Sequence, residues 1–190
     1  MAATDATAML RAGLLEGVSL LLARAPDGAP SADARDAASA VSAACTSLGA
    51  RVIELTAAPG GGQPFEEEVL ERELDGALDE GGALDIVVID GAGLHAAAGA
   101  RTGGPGAEGD GREALRACLD GSWNVTRAAA NRAFLATGRP GRILFIAPAP
   151  GAGAHAGAAA AGLENLARTL SIEWARHRVT AVSLAPGDRT

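Results

Sequence analysis

The stretch GRILFIAPAPGAGAHAGAAAAGLENLARTLSIEWARHRVTAVSL, residues 141–184, holds two short apolar runs, 143–146 and 179–184, separated by a long segment with helical spacing. Both runs are rich in β-branched residues and too short for a helix, so they read as buried strands. Between them Leu163, Leu166, Leu170 and Trp174 recur at three- and four-residue intervals, which predicts a helix over about 157–176. A strand, a helix and a second strand of this length form a crossover unit, whose two strands run parallel and whose connection is right-handed.

The same alternation extends upstream. Apolar runs at 18–22, 52–55 and 86–89 read as strands, and helical patterns fill 32–48, 65–78 and 112–135. The element order is β-α-β-α-β-α-β-α-β, which predicts an α/β doubly wound parallel sheet of Rossmann type, with helices on both faces. Proline and glycine clusters at 25–30, 59–64, 96–111 and 148–153 read as loops, the longest being the glycine-rich AAAGARTGGPGAEGDG at 96–111. At 190 residues the chain is expected to form a single domain over 1–190.

Composition narrows the function classes. The net charge of -7 arises from 23 acidic and 16 basic residues, every basic one an arginine, which argues against nucleic acid as a partner. Aromatic residues are only 3% of the chain, so the core must be built from close-packed Ala, Val, Leu and Ile. Cys45 and Cys118 both fall inside helical patterns, which suits a reduced chain and leaves too little material for a metal site. No segment approaches the roughly 18 unbroken apolar residues of a membrane span. The start MAATDATAMLRAG lacks a basic region followed by an apolar run, so the expected location is cytoplasmic.

Five motifs in order carry a resemblance. LDIVVIDGAG (84–93) resembles LDILVNNAG of the short-chain dehydrogenase/reductase family, and LDGSWNVTRAA (119–129) resembles its NLTGTFNVTRAA type of helix. GRILFIAPAPG (141–151) is similar to GRIVNISSVAG, AGLENLARTLSIEWA (161–175) to the active-site helix, and VTAVSLAPG (179–187) to VNAVAPG. The match is strong over the second half of the chain and weak over the first. It implies a sheet trimmed at both edges to five strands, in the family order 2-1-4-5-6, with the closing segment and last strand beyond the end of this sequence.

The resemblance assigns functional positions one at a time. The family's tyrosine, the proton donor or acceptor at the carbinol oxygen, falls at Ala156, and its lysine, which favours the phenolate and holds the cofactor ribose, at Ala160. Its serine falls at Pro148, after Ala147, and the asparagine of its helix near Cys118. No shift of alignment restores the pair, because the chain contains neither tyrosine nor lysine. His155 adjoins the tyrosine position, but one helical residue turns a side chain by about 100 degrees, away from the substrate. It reads as a polar residue at a loop-helix junction, and His95 and His177 read as surface residues.

The cofactor end agrees. GVSLLLA (17–23) leads into RAPDGAPSADARDAA (24–38), where Gly28 is the lone glycine of the loop and Pro26 and Pro30 remove N–H donors that a pyrophosphate needs. Ser31 is placed to cap the following helix, and Asp33 and Asp36 to complement its dipole in place of a phosphate, with Asp27 adding charge. NAD(P) binding is therefore not expected, and no cofactor is assigned. The glycines at 60–62 lack the lysine of a phosphate loop. GAG at 91–93 reads as a tight turn, with Asp90 and Gly91 where the family has paired asparagines.

In the family, the helices matching 112–135 and 157–176 pack as a four-helix dimer interface. Trp123, Leu163, Leu166, Leu170 and Trp174 are the candidate interface residues, with the small residues Ala156, Ala158, Ala159 and Ala160 allowing close approach of another backbone. The leucine stripe must be buried either by the chain's own core or by another subunit. The resemblance implies a non-catalytic subunit of a heteromeric dehydrogenase, paired with an active paralogue, as in family members that act on hydroxyacyl-CoA intermediates. The alternative is a homodimeric ligand-binding or regulatory module.

Overall fold

The computed structural model describes residues 6–26, 32–58, 64–102 and 111–185. A 3-10 turn at Ala6–Met9 precedes β1 (Ser19–Arg24), α1 (Ala32–Ser47), β2 (Arg51–Thr56), α2 (Glu67–Gly81) and β3 (Ile86–Ile89). Two helices follow, α3 (Gly91–Thr102) and α4 (Gly111–Ala129), the latter extended by π turns over Ala130–Leu135. Then come β4 (Gly141–Ile146), α5 (Ala156–Glu173), a 3-10 turn at Ala175–His177, and β5 (Val179–Leu184).

The five strands form one parallel sheet in the order β2-β1-β3-β4-β5. This is the doubly wound α/β arrangement expected from the alternation, in the strand order expected for a trimmed sheet. Alternate residues of each strand divide the core into two unequal parts. Leu21, Val87, Ile143, Phe145 and Val179 face α2, α4 and α5 in the main core. Leu20, Leu22, Val88 and Ile146 face the other way, against Ala38 and the flank of α1. Three helices therefore cover one face of the sheet, and α1 lies on the other.

The sequence reading needs correction between β3 and β4. Residues 91–102 form helix α3, where a tight turn at 91–93 and a loop from 96 were expected. The segment GAGLHAAAGART lacks the amphipathic signal because its first eight residues, 91–98, are almost all buried, and its glycines resemble loop punctuation. Ala98 of α3 packs against Ala114 and Ala117 of α4, a contact between small side chains that lets the two backbones lie close. The remainder of the expected loop, 103–110, lies outside the described residues, as does the glycine run at 60–62. Among the described residues no helix is long and apolar enough to cross a membrane.

Candidate functional site

In an open parallel sheet, ligands bind beyond the C-terminal ends of the strands, at the point where the strand order reverses. Here that point lies between β1 and β3. Asp90, the residue after β3, is tied to β1 by its N–H, which donates to the Ala23 carbonyl at 2.8 Å. Its carboxylate Oδ1 accepts the Gly93 N–H at 2.8 Å, and its carbonyl accepts the Leu94 N–H at 3.1 Å. Asp90 is thus the N-cap of α3, supplying an acceptor and a negative charge to the positive end of the helix.

Asp90 is 3% exposed. Burial pushes its carboxyl up to about 6, against the opposing pull of the Gly93 N–H and the Arg24 guanidinium. The sequence reading gave this residue only a structural turn, because nothing in the local pattern signals how deeply α3 is buried.

Gly91 sits where four elements meet. A Cβ there would come within 2.8 Å of Leu163 Cδ1 on α5, 3.1 Å of the Ile146 carbonyl on β4 and 3.2 Å of Cys118 Sγ on α4. The first turn of α3 accordingly stands at the switch point itself, packed against the neighbouring strands and helices. Gly91→Ala is expected to cost about 2 kcal/mol, since the carbonyl of a central strand cannot retreat. A urea melt giving an unchanged midpoint would show that the junction is looser than this geometry requires.

The four positions that the resemblance assigned all lie within the described residues. Cys118 is fully buried, its thiol pushed up to about 12 by burial and then by the neighbouring Asp90, so it stays a neutral thiol and is no nucleophile. Pro148 is buried just beyond β4. Ala156 opens α5 at 1% exposure, and Ala160 lies one turn later, partly buried. Also on α4, Ser122 Oγ and Thr126 Oγ1 are buried without a partner among the described residues.

His155 is exposed, in the left-handed region at φ 59°, and precedes α5 without capping it by its side chain. His95 corrects the sequence reading: it is 3% exposed, not a surface residue. It lies on the unrecognised helix α3, and its Nε2 donates to the Ala154 carbonyl at 3.1 Å, which requires the proton on that nitrogen. Burial moves its pKa down, opposed by the Ala154 bond. His177 is half-buried, its Nε2 accepting from Arg176 Nε at 3.0 Å. Among the described residues no group of three or more His, Cys, Asp or Glu could hold a metal ion.

Gly28 and Ser31 of the first βα loop lie outside the described residues, as do Asp27, Pro30 and the side chains of Asp33 and Asp36. A cleft of about 620 Å³ opens elsewhere, between α2 and the π turns that lead to β4. It is lined by charged pairs, with Arg132 bonded to Glu71 and to Asp75 at 3.0 Å each.

The candidate interface residues separate into two groups. Leu163, at 0% exposure, and Leu170, at 4%, belong to the core beneath α5, and Leu166 and Trp174 pack partly against it. The α5 stripe is thus accounted for largely within the chain. Trp123 of α4 is 41% exposed. The helices α4 and α5 approach closely, for a Cβ at Gly162 would lie 2.8 Å from Leu119 Cδ2.

No protein-family model and no curated protein sequence matches the chain. Solved structures do. A short-chain dehydrogenase from Mycobacterium smegmatis aligns over 92% of this chain and 77% of its own, with a TM-score of 0.66 and 22% identity. One from Salmonella enterica serovar Typhi aligns over 93% and 79%, with a TM-score of 0.66 and 16% identity. One from Mycobacterium paratuberculosis, bound to NAD, aligns over 91% and 73%, with a TM-score of 0.58 and 19% identity. The chain is folded like the short-chain dehydrogenases, as a Rossmann-like α/β sheet with five parallel strands.

Proposed function

We propose that this chain is a non-catalytic subunit built on the short-chain dehydrogenase fold, pairing through α4 and α5 with an active paralogue that carries the chemistry. One observation carries the proposal: the sequence contains no tyrosine and no lysine, so the proton transfer and ribose anchoring of that fold have no residues to perform them.

In the complex, this chain contributes packing surface. Trp123 is the exposed aromatic anchor on α4, and Gly162 sets the spacing of the two helices. The substrate belongs to the partner, and a hydroxyacyl thioester is one class that such paired dehydrogenases take.

Purification from the native source, with mass spectrometry of any associated chain, tests the proposal. The expected result is a tight complex with a short-chain dehydrogenase that has both tyrosine and lysine; a homodimer with no such partner would overturn it in favour of a self-contained binding module. The isolated chain is also expected to show no NAD(P)H oxidation and no calorimetric NAD binding. Cofactor-dependent turnover that survives rigorous purification would sink both non-catalytic readings.

A further inference from the structure

We infer that the cleft between the edge strand β2 and helix α2 binds an α-amino acid with an aliphatic side chain. Arg51 and Arg72 hold its carboxylate, Glu73 its ammonium, and the apolar floor its side chain. The cleft measures about 360 Å³. Small-molecule sites run from roughly 300 to 1,000 Å³, so the space suits a small ligand.

The cleft follows from the alternation of β2. Ile53 and Leu55 point to the α2 side of the sheet, Arg51 shares their face, and register sets Ile53 beside Leu21 of β1. β1 is the only strand that β2 pairs with among the described residues, so this face opens sideways into a groove. Helix α2 makes the facing wall, where Glu73, Gly76 and Ala77 lie three and four residues apart and so on one side of the helix. Buried Leu21, Leu55 and Leu74 form the floor. A Cβ at Gly76 would meet nothing within 4 Å, which leaves that wall open.

Charge gives the ligand class. The chain has 23 acidic residues against 16 basic ones, and Arg24, Arg127, Arg132, Arg139 and Arg168 each hold a carboxylate. Arg51 and Arg72 hold none among the described residues, although both line the cleft, and Glu73 on the same wall holds no base. Glu54, the remaining acid of the lining, is already taken by Arg24 at 3.2 Å and by Ser42 of α1 at 2.8 Å. Two cations and one anion are thus left over an aliphatic floor.

A carboxylate shared by two guanidiniums, an ammonium on Glu73 and a hydrocarbon side chain on the floor meet all of these groups at once, through charge-assisted hydrogen bonds and apolar burial. A fatty acid would leave Glu73 beside its carboxylate without a cation, and an alkylamine would leave both arginines unmet. No residue of α4 or α5 lines the cleft, so this site and the proposed paralogue interface stand or fall separately.

Calorimetric titration of L-leucine into the purified full chain tests the inference. The controls are 4-methylpentanoate, which lacks the ammonium, and 3-methylbutylamine, which lacks the carboxylate. L-leucine is expected to bind saturably, one per chain, and each control at least about tenfold more weakly. Arg51→Gln, Arg72→Gln and Glu73→Gln should each weaken L-leucine by at least about fivefold, while Glu73→Gln leaves 4-methylpentanoate binding no weaker. All three side chains are exposed, and an unaltered thermal melt confirms that the variants fold. The inference is overturned by an absence of saturable L-leucine binding, by a control that binds as tightly as L-leucine, or by L-leucine binding that any of the three variants leaves unchanged.

Discussion

Leu163→Ala is expected to lower the unfolding free energy by about 3 kcal/mol, while Trp123→Ala changes the stability of the isolated chain by less than about 1 kcal/mol. Leu163 is 0% exposed and fills the space beside Gly91 under α5, so truncation leaves a cavity that close-packed neighbours cannot collapse into. Trp123 is 41% exposed, and its truncation removes little that the chain itself buries.

The order reverses for association. If α4 is the partner-binding surface, Trp123→Ala should weaken the complex at least tenfold, or about 1.4 kcal/mol, with no loss of folded protein. Urea unfolding of each variant, followed by titration against the co-purified partner, separates the two effects. A Trp123→Ala chain that binds as tightly as the parent removes this residue from the interface.

Asp90→Asn is expected to stabilise the protein at neutral pH. The folded-state pKa of Asp90 is raised from 3.8 to about 6, so between these values the folded chain binds more protons than the unfolded one. Stability from this group is therefore fully present below about pH 4 and is lost as pH rises through 6. The shift corresponds to about 3 kcal/mol at pH 7. Asparagine keeps the acceptor for the Gly93 N–H without the buried charge, although it gives up the attraction of Arg24, so a gain of about 2 kcal/mol is expected at pH 7.5.

The gain should shrink to a small remainder by pH 4 and disappear near pH 3, where Asp90 is protonated in both states and resembles asparagine. Comparing the two proteins at both pH values cancels the titration of the other carboxylates. A gap that is the same at pH 4 and pH 7.5 would show that Asp90 is not charged against its surroundings. A gain at neutral pH would also explain the residue's place in the fold: it is tolerated as a cap, at a cost that a purely structural polar cap such as asparagine avoids.

Most of the sheet was legible in the sequence for a simple reason. The runs at 86–89 and 179–184 coincide with β3 and β5, because short β-branched segments bounded by loop residues have few other stable conformations. The two long helices were legible too, although the last turns of the first widen into a π segment at Ala130–Leu135 that no pattern announced. Helix α3 was not legible. Its evidence lies in what surrounds it, since residues 91–98 are almost all buried against neighbouring elements, and burial of that kind leaves no periodic polar mark.

The site divides in the same way. That tyrosine and lysine are missing is a property of the chain alone, true in any register and any conformation. What the sequence could not tell is which apolar residues are spent on the chain's own core and which are left over. Leu163, Leu170, Trp123 and Val182 are all large apolar residues in regular elements, yet the first two are enclosed and the last two are open. Local periodicity records that a residue has an apolar face to bury. Only tertiary packing decides whether a neighbour in the same chain has already buried it, because burial depends on contacts between elements far apart in sequence.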